Sequence, residues 1–118
     1  MNNETILVNL DEPLYAPRVN MTLLDMVKSG GFFWPQGATC VTQECDGELT
    51  WWSAPVRQVS EARAQADLGV GLMPLLGLRH QVDADYFCVN DQAYVSTDWE
   101  HAVVTFEQFV TAKGEGRQ

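Results

Sequence analysis

The sequence has little positive charge. Seven Lys and Arg side chains stand against sixteen Asp and Glu, which gives a formal charge of -9 at pH 7. Such an excess of negative charge opposes binding to nucleic-acid phosphates and to anionic lipid surfaces. The sequence therefore predicts no direct contact with nucleic acid or with a membrane, and it favours a protein with a basic surface as partner.

Long hydrophobic runs are also missing. No stretch approaches the roughly 18 consecutive apolar residues of a membrane-spanning helix. The first residues, MNNETILVNLDEP, have neither the basic region nor the apolar region of a secretory signal. We therefore expect a cytoplasmic protein. A chain of 118 residues suits one domain, and we predict a compact domain over 1–113 with a frayed tail over 114–118.

Cysteine is scarce, and its spacing signals no cross-link. Cys40, Cys45 and Cys88 are odd in number and form no C-x-x-C pattern, which argues against a disulfide framework and a zinc site. His80 and His101 add two soft ligands, but no pair of ligands lies at a recognised metal-binding interval. We predict three reduced thiols, no metal and no cofactor.

Patterns typical of catalytic sites are absent as well. The G-x-G at 69–71 lacks the dinucleotide fingerprint, because Pro74 stands where a third glycine is needed. His101 lies beside Asp98 and Glu100, which suits a general base, but a histidine among carboxylates on an acidic surface is more often simply exposed. We therefore expect no catalytic residue and no enzyme.

Capping residues and glycines predict several short helices. Asn20 or Thr22 can cap a helix before an apolar stripe, Asp25 follows Thr22 at capping-box distance, and glycines at 30–31 end that helix. Ser60 is expected to cap a second helix that closes at Gly69. The apolar but glycine- and proline-interrupted segment 69–78 is interpreted as a loop or broken segment. A T-x-x-Q capping box begins the last helix at 105.

Strand-forming segments alternate with turn residues. Residues 4–10, ETILVNL, favour a strand. Asp46-Gly47 lies between two β-prone segments and predicts a tight hairpin with positive φ at both turn positions. A second hairpin is predicted around 90–91, and AVV at 102–104 adds one more strand. These elements indicate an α+β fold: a mainly antiparallel sheet of about four to six strands with two or three short helices.

Two adjacent tryptophans follow the first predicted turn. Because side chains alternate along a strand, Trp51 and Trp52 must point to opposite faces. We expect Trp51 to share a face with Cys40, and Trp52 with Val41. In a sheet with one buried face, the other ring needs cover from a helix, a loop or a partner. Trp52 is the ring that we assign to partner binding.

The last third of the sequence concentrates the negative charge. Residues 81–112 contain no Lys or Arg. Two interpretations stand: a solvated acidic face that maintains solubility, or a docking surface for a basic partner. Asp83 and Asp85 also share a face of an extended segment, where they suit either a Mg²⁺ site or a charged sheet edge. The acidic residues assigned to partner binding are Asp83, Asp85, Asp91, Asp98 and Glu100.

Two motifs carry a resemblance to known sequences. WPQGATCVTQECDGELTWW (34–52) resembles W-P-x-G-A-T segments followed by D-G and W, and DWEHAVVTFEQF (98–109) resembles W-x-x-A-V-V-T-x-x-Q-F segments. Both occur in small uncharacterised proteins of tailed phages and prophages. The resemblance implies a phage or prophage origin and a host cytoplasmic location, and it carries no functional residue. The matching residues are Trp34, Pro35, Gly37, Ala38, Thr39, Asp46, Gly47 and Trp52, then Trp99, Ala102, Val103, Val104, Thr105, Gln108 and Phe109.

The first expectation for function is a non-enzymatic inhibitor that binds a host defence or nucleic-acid-handling complex. Anti-CRISPR activity is one form of it, in which acidic side chains compete with nucleic acid for a basic groove. The alternative is a phage accessory or structural protein that self-associates, with a homodimer compatible with the sequence. A small-molecule enzyme ranks third.

Overall fold

The computed structural model of this protein describes residues 14–115. It confirms an α+β fold, with four α-helices instead of the two or three predicted. The predicted strand at 4–10 lies outside the described residues. Within them, no helix has the length and apolar character needed to span a bilayer. The elements are α1 (Leu23–Ser29), β1 (Cys40–Gln43), β2 (Glu48–Trp52), α2 (Val56–Gln65), α3 (Met73–Leu76), a 3-10 turn (Leu78–His80), β3 (Gln81–Tyr86), β4 (Cys88–Val89), β5 (Gln92–Ala93), β6 (Val104–Thr105) and α4 (Phe106–Glu115).

The main sheet has four antiparallel strands in the order β3-β2-β1-β6. β1 and β2 form the predicted hairpin and occupy the centre. β6, which includes part of the predicted AVV strand, pairs with β1, and β3 lies at the opposite edge. A separate two-stranded sheet, β4 with β5, extends from β3.

The predicted capping box at α4 forms completely, and at α1 the predicted cap Thr22 forms its half of the box. The Thr22 hydroxyl accepts a hydrogen bond from the Asp25 N–H at 3.1 Å at the start of α1. At the start of α4, the Gln108 N–H donates to the Thr105 hydroxyl and the Gln108 side chain accepts from the Thr105 N–H, each at 3.0 Å. These bonds satisfy N–H groups that have no acceptor within the helix.

The turn between β1 and β2 differs from the prediction. Gly47 has a positive φ of 99°, but Asp46 is not among the non-glycine residues with positive φ. The Gly47 N–H donates to the Glu44 carbonyl and the Glu44 N–H donates to the Glu48 carbonyl, each at 2.9 Å. The connection is therefore a four-residue loop at 44–47, and only its last position needs glycine.

The second hairpin forms at the predicted position. Asn90 and Asp91 have φ values of 53° and 67° between β4 and β5. Asn and Asp tolerate this left-handed region better than other non-glycine residues.

The prediction that Ser60 caps the second helix was wrong. α2 begins at Val56 after Pro55, has no side-chain cap, and ends at Gln65, so Ser60 lies in its middle. The fixed φ of proline suits a helix start without a hydroxyl cap. The following segment is broken, as expected, into the single turn of α3 and the 3-10 turn.

The sheet is buried on both faces, so the expectation of one buried face was wrong. Cα pairing sets Cys40 opposite Trp52 and Val41 opposite Trp51, which reverses the predicted grouping of these residues. We call the face of Val41, Leu49 and Trp51 the α1 face, because α1 packs on it. The face of Cys40 and Trp52 is the α2 face, covered by α2 and α3.

Candidate functional site

Four carboxylates lie on or beside β3, and we call this set the acidic edge: Asp83 and Asp85 on β3, Glu48 on the neighbouring strand β2, and Asp46 in the turn before β2. Asp83 and Asp85 are exposed on β3 itself. Glu48 pairs across the strands with Tyr86, whose hydroxyl lies 3.5 Å from Asp46 Oδ2. None of the four carboxylates forms an ion pair within residues 14–115. The acidic edge therefore presents uncompensated negative charge.

The two β3 carboxylates are held against the strand. The Ala84 N–H donates to Asp83 Oδ1, and the Tyr86 N–H donates to Asp85 Oδ1, both at 2.8 Å. A sheet edge normally offers such N–H groups to an incoming strand. Here the carboxylate of each aspartate accepts the N–H of the following residue. This edge therefore presents negative charge where N–H donors would otherwise be available to an incoming strand.

The acidic edge affects its own titration. Burial, and then the charges of Asp46 and Glu48, raise the pKa of Tyr86. Partial burial, followed by the charge of Asp46, raises the pKa of Glu48. Burial is the main cause of both shifts, and the neighbouring negative charges add to it in the same direction.

Two of the predicted partner-binding residues hold the fold together instead. Asp98 Oδ1 accepts a hydrogen bond from the Leu23 N–H at 2.8 Å, at the first turn of α1. Glu100 forms an ion pair with Arg18 at 2.9 Å, and the hydrogen bond to Arg18 lowers the pKa of Glu100. The structure therefore contradicts the idea that both residues are free for a partner, since each already has one.

Trp52 is also excluded from a partner surface. Its side chain is 1% exposed on the α2 face, and its Nε1 donates to Thr42 Oγ1 at 2.9 Å. The assignment of Trp52 to partner binding was wrong because helices α2 and α3 cover the ring. Of the predicted residues, Asp83, Asp85 and Asp91 are exposed, and Asp91 lies in the separate β4–β5 turn.

A buried arginine is the second unusual feature. Arg63 on α2 is 3% exposed, and its Nη1 donates to the Gln43 carbonyl at 2.9 Å. Its guanidinium lies over the Trp99 ring at 5.8 Å from the ring centroid. Its Nε and Nη2 have no hydrogen-bond partner among residues 14–115. Burial lowers the pKa of Arg63, and the nearby carboxylates of Glu44 and Glu100 oppose that shift.

Glu44 is the nearest carboxylate to this arginine. Its Oε1 lies 4.0 Å from Arg63 Nη1, and its Oε2 accepts the Leu72 N–H at 3.1 Å. Burial raises the pKa of Glu44, while the Leu72 hydrogen bond and Arg63 act in the opposite direction. At 4.0 Å the pair has Coulombic attraction without a hydrogen bond of ordinary length.

A cavity of about 530 Å³ lies beside Arg63, between α2 and residues 100–103. Ser60, Ala64 and Arg63 contribute from α2, and Glu100 and His101 contribute from the opposite wall. This volume is within the range of small-molecule sites in proteins. His101 is exposed, as expected, and it lines this cavity with Glu100 and with Arg63, a cation that the sequence did not indicate.

The cysteines are free thiols, with Cys40 and Cys45 buried and Cys88 exposed. Burial raises the pKa of Cys40 and of Cys45. Within residues 14–115, no group of three or more His, Cys, Asp or Glu side chains is arranged to hold a metal ion. Asp83 and Asp85 lie exposed on the edge strand β3, the position that the charged-edge interpretation requires.

Sequence reasoning missed Arg63, Asp46 and Glu48. A helical stripe through Val59, Ala62 and Arg63 indicates which side of α2 is buried, and this spacing would have placed Arg63 toward the core. Asp46 and Glu48 join Asp83 and Asp85 only through the pairing of β2 with β3. No local pattern indicates that pairing.

Comparison of the chain with models of protein families, with curated proteins and with solved structures found no match.

Proposed function

We propose that this protein is a phage- or prophage-encoded, non-enzymatic inhibitor that acts in the host cytoplasm. It docks through the acidic edge on a basic surface of a host defence or nucleic-acid-handling complex, such as a CRISPR effector. One observation supports the proposal: Asp83 and Asp85 on the edge strand β3, with Glu48 and Asp46 beside β3 on its β2 side, form no ion pair in the described structure.

Charge complementarity supports a basic partner. Uncompensated carboxylates raise the rate of encounter with a positive surface and repel nucleic acid from the same place. A groove that normally binds phosphates is a surface of this kind. The hydrogen bonds that hold Asp83 and Asp85 on the strand also keep their charges in a defined position, which reduces the entropy lost on binding.

Neutralisation of the acidic edge tests the proposal. The variant carries Asp46→Asn, Asp83→Asn and Asp85→Asn, because asparagine keeps an acceptor oxygen for the Ala84 and Tyr86 N–H groups. We expect this variant to fold normally and to lose about tenfold or more in affinity for a partner captured from bacterial lysate. The affinity of the wild-type protein should also weaken as salt is raised, since exposed charges are screened over about 10 Å at ~0.1 M.

A matched control removes the same charge elsewhere. Asp25→Asn, Glu61→Gln and Glu107→Gln neutralise three exposed residues on three helices. The control should bind the partner almost as well as wild type. Equal losses in the two triple variants would show that net charge matters and the acidic edge does not; no loss in either would reject the proposed docking surface.

Self-association is a second candidate, favoured by exposed apolar side chains around α3. Val70, Leu75 and Leu78 are 64%, 49% and 72% exposed. An apolar cluster on the surface is typical of an interface. Trp51 and Trp52 are buried, so the contact would use residues 70–78.

Sedimentation of wild type and of a Leu75→Ser, Leu78→Ser variant distinguishes this candidate. A concentration-dependent dimer that the two serines abolish would support self-association. A monomer at all concentrations would reject it and leave the proposal of the acidic edge unaffected.

A further inference from the structure

Arg63 lines the cavity between α2 and residues 100–103, and only some of its N–H groups have a hydrogen-bond acceptor. The side chain of Arg63 is almost completely buried, with 3% of its surface exposed. Nη1 of Arg63 contacts Gln43 and faces Glu44, whereas Nε and Nη2 have no partner within residues 14–115. A buried polar group without a hydrogen bond costs folding free energy. A group of this kind is retained more readily where a ligand completes its bonds.

The two free atoms lie on one side of the guanidinium. The N–H bonds of Nε and Nη2 run nearly parallel, and they match the two oxygens of a carboxylate in a bidentate pair. Nη1 is bound on the other side of the group, which holds this fork in a fixed direction. The Trp99 ring supports the plane of the guanidinium.

We propose that this cavity binds a small organic monocarboxylate, with the carboxylate on the Nε and Nη2 donors of Arg63 and an apolar body along Ala64, Leu68 and Val103. This site is separate from the acidic edge and does not depend on the proposed inhibitor function. Its volume of about 530 Å³ accommodates a ligand with several carbon atoms.

The second wall of the cavity selects for low charge. Glu100 also lines the cavity, where it forms an ion pair with the partly exposed Arg18. A phosphate dianion and a monocarboxylate would both lie near one guanidinium and one carboxylate. The Glu100 carboxylate would repel a phosphate dianion about twice as strongly as it repels a monocarboxylate, which carries half the charge. The apolar side chains at the wall favour an organic ligand over inorganic phosphate.

Entry of the ligand requires a local movement. Nε and Nη2 of Arg63 are shielded from solvent, so side chains of the cavity wall must move before a carboxylate can reach them. Backbone amide signals of residues 60–68 and 100–103 should then change together.

Titration of the full chain with octanoate, followed by two-dimensional NMR, tests the site. We expect saturable shifts confined to the residues that line the cavity. Ala64→Phe fills the cavity from an exposed helix position, and Gln58→Phe places the same ring on α2 away from the cavity. Octanoate affinity should fall by about tenfold or more in Ala64→Phe and stay close to wild type in Gln58→Phe.

Two more measurements test the chemistry. Arg63→Met should also lose about tenfold or more, because it removes the charge and the fork while keeping a long side chain. Glu100→Gln should bind octanoate more tightly than wild type, because it removes the repelling charge. The proposal is overturned if octanoate causes no saturable shifts, if Ala64→Phe binds it as well as wild type does, or if inorganic phosphate binds more tightly than octanoate.

Discussion

Trp51 and Trp52 are neighbours in the sequence and equally buried, yet the two faces of the sheet treat their indole N–H groups differently. Trp52 donates to Thr42 Oγ1 on the α2 face. Nε1 of Trp51, on the α1 face, has no hydrogen-bond partner among the described residues. On the α1 face, the Trp51 ring packs against Phe32 with ring centroids 5.8 Å apart, and no polar acceptor among the described residues lies within reach of its N–H.

The comparison shows that burial and polar satisfaction are separate properties of a core. The α1 face concentrates its polar bonds in one side chain, Gln43, whose amide donates to the Gly47 and Tyr94 carbonyls and accepts from Ser96. The α2 face distributes them, with the Thr42 and Trp52 pair near its centre and Arg63 at its border. Substitutions on the two faces should therefore differ in cost for predictable reasons.

The largest effect is expected from removal of either ring. Trp51→Ala and Trp52→Ala should each lower the free energy of unfolding by about 3–5 kcal/mol, because both side chains fill fully covered positions. Chemical denaturation monitored by circular dichroism measures this. A clearly smaller loss at one position would show that its face is open or collapses easily, and the two-sided core would be wrong.

Adjacent polar side chains of β1 provide a second test. Gln43→Leu should cost about 2–4 kcal/mol, since it leaves two carbonyls and the Ser96 N–H without their bonds in a buried place. Thr42→Val, which removes one hydrogen bond on the opposite face, should cost about 1–2 kcal/mol. The same denaturation experiment compares them. Equal costs would mean that Gln43 does not have the concentrated role described above.

The indole N–H groups themselves give a smaller difference. Trp52→Phe removes the donor to Thr42, whereas Trp51→Phe removes an N–H that has no partner within the described structure. We expect Trp52→Phe to be more destabilising by about 1 kcal/mol, with the loss of ring volume common to both. The double variant Trp52→Phe, Thr42→Val serves as control, because loss of both partners should recover part of the cost. If Trp51→Phe were the worse of the two, its N–H would have an acceptor.

The smallest effect concerns pH and the border of the α2 face. The pKa of Glu44 is raised above the ordinary 4.5 in the folded chain, so the folded state holds this proton more tightly than the unfolded state does. Stability should therefore decrease as pH rises from about 4.5 through the raised pKa. Glu48 is shifted in the same direction and adds to the slope. Melting temperatures measured across this range should show a shallower decline in Glu44→Gln; an unchanged slope would contradict the assignment.

Some predictions that depend on neighbouring residues succeeded. The Thr22 cap, the Thr105–Gln108 capping box and the Asn90-Asp91 turn use bonds or dihedral angles within four residues, whereas the Ser60 cap was wrong because α2 begins four residues earlier. The prediction of a tight Asp46-Gly47 turn was wrong. The Gly47 N–H donates to the Glu44 carbonyl, and the turn therefore extends over residues 44–47. Local chemistry predicted that the chain turns there, and the register of the strands decided how.

Predictions about the site depended on residues far apart in the sequence. Asp98 and Glu100 were interpreted as free charges, but their partners Leu23 and Arg18 lie 75 and 82 positions away. Trp52 was assigned to a partner because segment 69–78 gave no sign that it would fold over the ring as α3. The α2 face is buried because α2 and α3 pack on it, and no local sequence pattern indicates this packing.

The contact between Asp98 and Leu23 also bears on how the chain is made. One N–H at the start of α1 donates to the carboxylate of Asp98, which is translated 75 residues after Leu23. The strand β1 pairs with β2 and β6, and its pairing with β6 can form only after β6 has been translated. On the ribosome, α1 and the β1–β2 hairpin therefore precede the parts that complete them. Long-range closures of this kind slow folding and leave apolar surface exposed in the interval. A nascent chain that stops before Asp98 lacks both closures and is a natural substrate for chaperones or proteases.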